Sequence, residues 1–490
     1  MSALAETAAG VLRGSADADG GIDSFLGAAF AKPPIGALRW APPQPLEPWR
    51  GERDALLPAP PAPQPERPIG TRSHGELPPA DEDCLRVNVW APSGRSGLPV
   101  LVWLHGGGFA LGSPSAVIFD GASLARALDA VVVTVGYRLG SLGWLAHEAL
   151  AAAPGAAHAN WGLQDQLAAL RWTHENAAAF GGDPSRIVLA GESAGAASTI
   201  HLLADPAARG LLARAIAMSP PLGEGTLSAA FARAWSEALG DELLGSFEPE
   251  RLRALPVGAV VDAHERLLAE GPFHGGRGGA MPVLDGVTIA ADPLEAPPAA
   301  TAIDVLVGTN ADEATFFYRQ PGRVVTPDDE ALAAIVTRLA HGASDAAAAM
   351  IEERRRADPA ADNNEILVRI ATEAIFEDPV GRWAAARAGA GGRVHRYRIE
   401  HRSPQPGLGA VHTIGVPLLF GTHRTSVPGE WVAGADAAAD AASQAIRAAW
   451  RGFVHDGDPG WAPQTAAGGE LGVLGGSGGG LRVDPLDTAG

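Results

Sequence analysis

The chain has 490 residues, 46% of them hydrophobic, so it can bury a large core. Its 37 basic and 56 acidic residues give a formal charge of -19, and a surface of that sign repels nucleic acid and anionic membranes. The single cysteine, Cys84, excludes an intramolecular disulfide framework. The 14 histidines lack ligand-like spacing, so we predict no metal. Because the negative surface disfavours nucleic acid and anionic membranes, we expect a small-molecule partner.

The beginning of the chain, MSALAETAAGVLRG, has neither the basic region nor the apolar region of a secretory signal peptide. No uninterrupted apolar run reaches the roughly 18 residues that a membrane-spanning helix needs. We therefore expect a soluble, cytoplasmic protein, either a monomer or a weak homo-oligomer. The stretch 57–84 is dense in proline, which is incompatible with a helix or a central strand, and is predicted to be a stiff surface loop.

Short apolar runs predict the central strands. Residues 98–105 and 130–138 are rich in β-branched side chains, which is typical of strands buried on both faces of a mainly parallel sheet. A third run, 186–190, follows a segment with helical spacing at 160–180, for which Asn160 is the expected N-cap. Strand, helix and strand in this order indicate an α/β fold.

The second half of the chain continues this pattern. Residues 303–310 and 393–400 are predicted to be further strands of the same sheet. The alanine-rich stretches from about 222 to 272 and from about 325 to 390 are predicted to be helical insertions over the carboxyl end of the sheet. Since no repeat or low-complexity linker interrupts the chain, we predict one domain over residues 1–490.

The most informative local motif is Gly191-Glu192-Ser193-Ala194-Gly195, a G-x-S-x-G pentapeptide between a predicted strand and a predicted helix. A turn this sharp requires residues without side chains two positions before and after the serine. It would point the Ser193 hydroxyl outward and leave the Ala194 N–H available to a developing oxyanion. The alternative is a tight turn that contains an incidental serine.

A second motif, His105-Gly106-Gly107-Gly108, follows the strand at 98–105. Three consecutive glycines cost backbone entropy, and a chain accepts this cost where peptide N–H groups must closely approach a ligand. A phosphate-binding loop is the main alternative, but the motif lacks the lysine and the Ser/Thr of a P-loop. A simple turn is the other alternative.

The sequence resembles the type-B carboxylesterases, an α/β-hydrolase family that includes bacterial para-nitrobenzyl-type esterases and the cholinesterases. The stretches that carry the resemblance are FAKPPIGALRWAPPQP (30–45), EDCLRVNVW (82–90), HGGGF (105–109), GYRLGSLGWL (136–145), NWGLQDQLAALRW (160–172), FGGDPSRIVLAGESAGA (180–196), GTNADEA (308–314), GAVHTIGVPLLFG (409–421) and WRGFVHDGDPGW (450–461). The resemblance implies a mostly parallel central sheet flanked by helices, and it makes the loop at 57–84 a rim over the substrate gorge.

By position, the resemblance implies that Ser193 is the nucleophile, Glu313 the acid and His412 the base of a catalytic triad. It assigns the oxyanion hole to the backbone N–H groups of Gly107, Gly108 and Ala194. The order serine, acid, histidine agrees with an α/β-hydrolase. Asp312 is the weaker candidate for the acid, because adjacent residues of an extended segment point in opposite directions.

These residues predict a serine carboxylesterase that hydrolyses carboxylic esters of small molecules through an acyl-enzyme intermediate, with water as the second substrate and no cofactor. Hydrolysis of an amide, a carbamate or a lactone by the same triad is an alternative. A non-catalytic binding protein of the cholinesterase-like kind is a further alternative, disfavoured because all three triad residue types are present. The sequence does not specify the acyl or alcohol group.

Overall fold

The computed structural model of the chain describes residues 2–17, 21–65, 77–269, 278–296, 303–320, 323–465, 468–476 and 479–486. The chain divides into two compact units. The first comprises Met1–Ile216 and Thr226–Pro298, and the second comprises Ala217–Gly225 and Ala299–Gly490. The single-domain organisation inferred from the sequence stays a prediction.

The strands of the first unit form one sheet of order β1-β2-β3-β5-β7-β6-β8-β9, with β4 beside β2. They are β1 (Ser2–Glu6), β2 (Val11–Ala16), β3 (Ile22–Ala29), β4 (Glu52–Asp54), β5 (Arg86–Pro92), β6 (Leu98–Leu104), β7 (Val131–Val135), β8 (Gly182–Glu192) and β9 (Arg214–Met218), the last of which ends in the second unit; β10 (Leu227–Ser228) and β11 (Val283–Leu284) form a separate parallel pair. Strand β6 is parallel to β7 and to β8.

The buried strands agree with the sequence pattern. Every residue of β6 and β7 is buried, as the continuous apolar runs predict for strands covered on both faces. Strand β7 ends at Val135, three residues before the predicted run does. At Arg138 the backbone N–H is bonded to the Asp165 carboxylate at 3.1 Å instead of to a neighbouring strand.

The helices of the first unit are α1 (Gly121–Leu128), α2 (Gly140–Trp144), α3 (Trp161–Asn176), α4 (Ala194–Ala204), α5 (Pro206–Arg209), α6 (Ala229–Leu244), α7 (Pro249–Arg253) and α8 (Val257–Ala269), with short 3-10 turns at Gly36–Leu38, Val117–Phe119, Glu148–Leu150 and Ala177–Phe180. Helix α3 begins directly after Asn160, but the expected side-chain cap is absent. The Asn160 amide instead bonds both backbone groups of Val283, the N–H and the carbonyl oxygen, at 2.8 Å each. Asn160 thus occupies the expected N-cap position, but its side chain does not cap the helix, because it bonds a distant strand instead.

The second unit contains the carboxyl end of β9, followed in sheet order by β12 (Asp304–Asn310), β15 (Val394–Ile399), β16 (Gly469–Leu474) and β17 (Leu481–Leu486). Strands β12, β15 and β16 are parallel, whereas β17 is antiparallel to β16. A small antiparallel pair is formed by β13 (Arg319–Gln320) and β14 (Arg323–Val324). The predicted strands at 303–310 and 393–400 correspond to β12 and β15.

The helices of the second unit are α9 (Thr315–Tyr318), α10 (Asp329–Leu339), α11 (Ser344–Ala357), α12 (Asn363–Thr372), α13 (Asp378–Gly389), α14 (Gly415–Phe420), α15 (Val427–Ala433) and α16 (Ala437–Asp456), with a 3-10 turn at Leu222–Glu224 and a π-helical turn at Glu373–Glu377. Helix α12 begins with a capping box between Asp362 and Glu365.

The stretches with predicted helical insertions contain the helices α6 to α8 and α10 to α13. Helices α6 to α8 bury Trp235, Leu239 and Val260 in one apolar cluster, and α10 to α12 bury Leu332, Val336 and Ile370 in another. Residues 270–272 lie outside the described part of the chain. The placement of helices α6 to α8 and α10 to α13 over the carboxyl end of the sheet stays a prediction.

Within the proline-rich stretch, residues 57–65 and 77–84 form neither helix nor strand. Residues 66–76 lie outside the described part of the chain, so the predicted rim loop is seen only at its two ends. Among the residues that the structure describes, no helix is both long and apolar enough to cross a membrane.

Candidate active site

Ser193 lies at the junction of β8 and α4 with φ 54° and ψ -122°, a conformation that L-residues rarely adopt. A side chain on Gly191 would collide with the carbonyl of Gly195, and one on Gly195 would collide with the carbonyl of Leu104. The two glycines are therefore required by close packing around the serine. This is the strained strand-to-helix turn that the pentapeptide predicts.

Ala194 is the first residue of α4, an 11-residue helix. The first N–H groups of a helix have no acceptor within the helix, and they lie at the positive end of its dipole. The Ala194 N–H is thus suited to bind an anion that forms next to Ser193.

The three glycines at 106–108, here called the glycine strap, run beside the serine. A Cβ on Gly106 would lie 3.0 Å from the Ser193 Cβ. Gly107 and Gly108 have φ values of +121° and +61°, in the left-handed region that favours glycine. A side chain on Gly107 would meet the Leu111 carbonyl, whereas nothing lies within 4 Å of a Cβ on Gly108. The strap therefore has a packed side and an open side.

Two side chains, the buried Tyr137 and the partly buried Gln64, brace the strap from both ends. At its start, the Tyr137 hydroxyl donates to the His105 carbonyl at 2.7 Å, and burial raises the pKa of Tyr137, so this donor stays protonated. Beyond its end, the Gln64 side chain donates to the Gly112 carbonyl at 2.8 Å and accepts from the Gly112 N–H at 2.9 Å. No sequence pattern singled out Gln64, because its partner lies 48 residues away.

Glu192 precedes the serine but is only 3% exposed. A side chain on Gly106 would collide with the Glu192 carboxylate, so this acid packs against the strap. Its burial and this contact indicate a structural role for Glu192.

In the second unit, the structure brings Glu313 and His412 together. Glu313 lies three residues after the end of β12, and its Oε2 is 2.6 Å from His412 Nδ1. The two side chains are 0% and 2% exposed, although the residues are 99 positions apart. A carboxylate in this place fixes the imidazole tautomer with the proton on Nδ1 and stabilises an imidazolium.

Three phenylalanine rings surround the imidazole of His412. The ring centroids of Phe316, Phe317 and Phe376 lie 5.8, 5.5 and 5.1 Å from that of His412. Phe376 belongs to the π-helical turn Glu373–Glu377, a rare geometry that often occurs at functional sites. This apolar surrounding strengthens the hydrogen bond to Glu313, because a low local dielectric strengthens buried polar contacts.

Asp312 takes a different direction from Glu313. Its Oδ2 accepts a hydrogen bond from the Ala410 N–H at 2.8 Å, and it lies 3.5 Å from the Arg402 guanidinium. The Asp312 carboxylate therefore binds the Ala410 backbone and the Arg402 side chain, whereas the Glu313 carboxylate binds His412.

The first unit thus contains Ser193, Ala194 and the glycine strap, and the second contains the Glu313–His412 pair. Among the residues that the structure describes, no group of three or more His, Cys, Asp and Glu could hold a metal ion.

Two further arginines of the sequence motifs form buried ion pairs. Arg138, three residues after the end of β7, makes a bidentate contact with Asp165 of α3 at 2.8 and 2.7 Å, with both side chains at most 3% exposed. Arg39 makes a similar contact with Glu82 at 2.8 and 2.7 Å. These pairs fasten loops to the core, which is a structural task.

The sequence and the fold were compared with those of known proteins. Residues 2–467 match the model of the carboxylesterase family. The phenmedipham hydrolase of Pseudarthrobacter oxydans is 35% identical over 464 residues, covering 93% of this chain and 90% of that protein. The para-nitrobenzyl esterase of Bacillus subtilis (strain 168) is 34% identical over 454 residues, covering 90% of this chain and 88% of that protein.

Solved structures give the same result. A structure of a para-nitrobenzyl (PNB) esterase superposes with a TM-score of 0.84 at 30% identity, covering 98% of this chain and 97% of that one. A thermophilic PNB esterase superposes equally well, with a TM-score of 0.84 at 31% identity. The predicted α/β-hydrolase fold and the resemblance stated from the motifs are confirmed. The chain belongs to the carboxylesterase family and is a carboxylic ester hydrolase.

Proposed function

We propose that the chain hydrolyses carboxylic esters of small molecules through an acyl-enzyme, with Ser193 as nucleophile, His412 as general base and Glu313 as the acid of the triad. The observation that carries this proposal is the 2.6 Å contact between His412 Nδ1 and Glu313 Oε2, two buried side chains that only the fold brings together. The strained turn at Ser193 supports the choice of nucleophile.

In the proposed acylation step, Ser193 Oγ attacks the ester carbonyl while His412 Nε2 takes its proton. A serine hydroxyl is a weak nucleophile at its ordinary pKa, and general-base assistance contributes about 10²- to 10⁴-fold. The imidazolium then protonates the leaving alcohol. Glu313 stabilises the imidazolium through Nδ1 and keeps the ring in place.

In the same step, negative charge develops on the carbonyl oxygen of the substrate. We assign the donors for this oxyanion to the backbone N–H groups of Gly107, Gly108 and Ala194. The support is that the strap lies beside Ser193 and that Ala194 begins a helix. Each such donor contributes about 10²- to 10³-fold to the rate. Water, activated by His412, then hydrolyses the acyl-enzyme, and no cofactor takes part.

The names of relatives support a small organic ester as the substrate class. Besides the proteins named above, the fumonisin B1 esterase of Sphingopyxis macrogoltabida is 36% identical over 492 residues, covering 95% of this chain and 86% of that protein. Amide, carbamate or lactone hydrolysis would use the same proposed residues.

The nucleophile is tested with Ser193→Ala. We expect this variant to lose more than 10³-fold in kcat towards a p-nitrophenyl ester, because the covalent step is removed. Ser198→Ala is the matched control, since Ser198 is a buried serine on α4, the helix that follows Ser193. An organophosphonate should label Ser193 in the unaltered chain. Full turnover by folded Ser193→Ala, or labelling of another residue, would contradict the assignment. The p-nitroanilide of the same acid, assayed in parallel, tests whether the protein prefers an ester to an amide.

We also assign the protein to the cytoplasm, as a monomer or weak homo-oligomer. The assignment to the cytoplasm is supported by the sole cysteine, Cys84, which is buried and free. Burial raises the pKa of its thiol, which keeps it protonated and unreactive. A chain with one cysteine forms no intramolecular disulfide, so an oxidising compartment would not stabilise its fold.

A further inference from the structure

Asn310, the last residue of β12, bonds both to Glu313 and to the backbone next to His412. Its backbone N–H donates to Glu313 Oε1 at 2.7 Å. Its side-chain Nδ2 lies 3.3 Å from Glu313 Oε2 and 3.1 Å from the carbonyl oxygen of Val411, the residue before His412. Asn310 is 1% exposed, so these contacts are made away from water.

The loop that carries Glu313 (residues 310–315, the acid loop) is fastened to the loop that carries His412 (residues 408–412, the histidine loop). Asp312 donates its N–H to the Ala410 carbonyl at 3.0 Å and accepts from the Ala410 N–H at 2.8 Å. The Thr315 hydroxyl is 2.7 Å from the carbonyl oxygen of Leu408. Of the three residues that form these bonds between the two loops, only Asn310 also donates to the Glu313 carboxylate.

The orientation of the Glu313 carboxylate matters because a hydrogen bond weakens steeply when it is bent. Oε2 accepts from His412, and the Asn310 amide approaches the same oxygen while the Asn310 N–H holds Oε1. Two donors from one residue therefore fix the plane of the carboxylate. The bond to Val411 ties this plane to the backbone that carries the imidazole.

We propose that Asn310 is a positioning residue of the reaction: it holds the Glu313 carboxylate and the histidine loop in register while the imidazolium forms and disappears. The inference rests on the proposed function of Glu313 and His412. Asn310 acts on the reaction through these two residues.

The experiment compares Asn310→Ala and Asn310→Asp with Asn364→Ala. Asn364 is a matched control, because it is also a fully buried asparagine of the second unit and donates from Nδ2 to two backbone carbonyls, at 3.0 and 2.8 Å. Its side chain also accepts from Arg319 Nε at 2.7 Å, and its partners Tyr318, Val325 and Arg319 are not members of the Glu313–His412 contact. All variants are assayed on a p-nitrophenyl ester for kcat and KM over a range of pH, and for thermal stability.

For Asn310→Ala we expect kcat to fall about ten- to hundredfold, the effect of losing a hydrogen bond to a charged group, with KM changed less than twofold. Without the amide, the carboxylate is less well stabilised and attracts the imidazolium more strongly. The acid limb of kcat/KM should therefore move to higher pH. Asn310→Asp keeps the shape but replaces the Nδ2 donor with a carboxyl group, and two buried carboxyl groups this close share one proton because they cannot both ionise. The negative charge that faces the imidazolium is then spread over two groups, so kcat should fall about as far as in Asn310→Ala.

Asn364→Ala should lower the melting temperature about as much as Asn310→Ala does, because each variant loses buried hydrogen bonds. Its kcat should stay within about threefold of that of the unaltered chain, because the Glu313–His412 pair remains intact. The inference is overturned if Asn310→Ala equals Asn364→Ala in kcat and leaves the pH profile unchanged. If Asn310→Ala does not fold, a kcat of Asn310→Asp within about threefold of the unaltered chain overturns it equally.

Glu313→Ala and His412→Ala separate this failure from failure of the proposed function. If both fold and retain full turnover, the proposed triad is wrong and Asn310 has no pair to position. If both lose turnover while the Asn310 variants behave like Asn364→Ala, only the positioning role is wrong.

Discussion

At the scale of single residues, the site depends on backbone conformations that few residues adopt. Ser193, Gly107 and Gly108 all have positive φ. A strained non-glycine residue costs on the order of 1–3 kcal/mol and persists only where its surroundings hold it. At Ser193 the surroundings include Gly191 and Gly195, whose missing side chains allow the close approach of neighbouring carbonyls.

Gly107→Ala tests the glycine strap. The φ of +121° strains any L-residue, and the new Cβ would collide with the Leu111 carbonyl, so the Gly107 N–H must move. We expect kcat for an ester to fall about 10²- to 10³-fold, as for the loss of an oxyanion donor. Gly97→Ala is the control, since its φ is +70° but nothing lies within 4 Å of the added Cβ. Equal kcat in the two folded variants would rule out the assigned role of Gly107.

Local patterns identified Ser193 and the strap, because a sharp turn constrains the residues adjacent to it in the chain. They did not single out Asn310 or Gln64. Asn310 reaches Val411 over 101 positions, and Gln64 reaches Gly112 over 48. Neither residue type is unusual in its own segment, so only the contact reveals its importance.

At the scale of elements, a buried ion pair fastens the segment after β7 to helix α3. Asp165 accepts from the Arg138 side chain at 2.8 and 2.7 Å and from the Arg138 N–H at 3.1 Å. Both groups are almost fully buried, so each charge depends on the other for solvation. This contact lies three residues beyond the end of β7, in a part of the apolar run that is not strand.

Asp165→Asn should destabilise the protein by about 3–5 kcal/mol, because it leaves the Arg138 charge buried without its counter-ion. The measurement is chemical or thermal unfolding. Glu237→Gln is the control, since it removes one acid of an ion pair with Arg233 whose side chains are 51% and 48% exposed. Exposed pairs of this kind contribute at most about 1 kcal/mol. A similar loss of stability in both variants would contradict the importance of burial.

At the scale of the whole molecule, buried histidines make stability depend on pH. His201, on helix α4, is 8% exposed, and burial lowers its pKa to about 4, an effect that the charge of Asp292 partly opposes. In the unfolded chain a histidine titrates near pH 6.5. Between these two values the unfolded chain binds a proton that the native chain does not, so the free energy of unfolding decreases as the pH falls.

His201→Gln should reduce this sensitivity. Between pH 7 and pH 5, His201 should remove about 2 kcal/mol from the stability of the unaltered chain, and a glutamine does not titrate. We therefore expect the melting temperature to fall a few degrees less in the variant than in the unaltered chain when the pH is lowered from 7 to 5. Each protein at pH 7 is its own reference. Equal decreases in the two proteins would show that His201 does not contribute.

The sequence by itself determined the family, the α/β-hydrolase fold and the turn at Ser193. Strands buried on both faces need continuous apolar runs, and a strained turn needs glycines at fixed positions, so both leave a mark within a few residues. The tertiary structure alone decided that the Asn160 side chain bonds a distant strand instead of capping α3, that Asn310 bonds Val411, and that Gln64 bonds Gly112. These outcomes join residues dozens of positions apart, and hydrogen-bond partners at that distance are selected by packing.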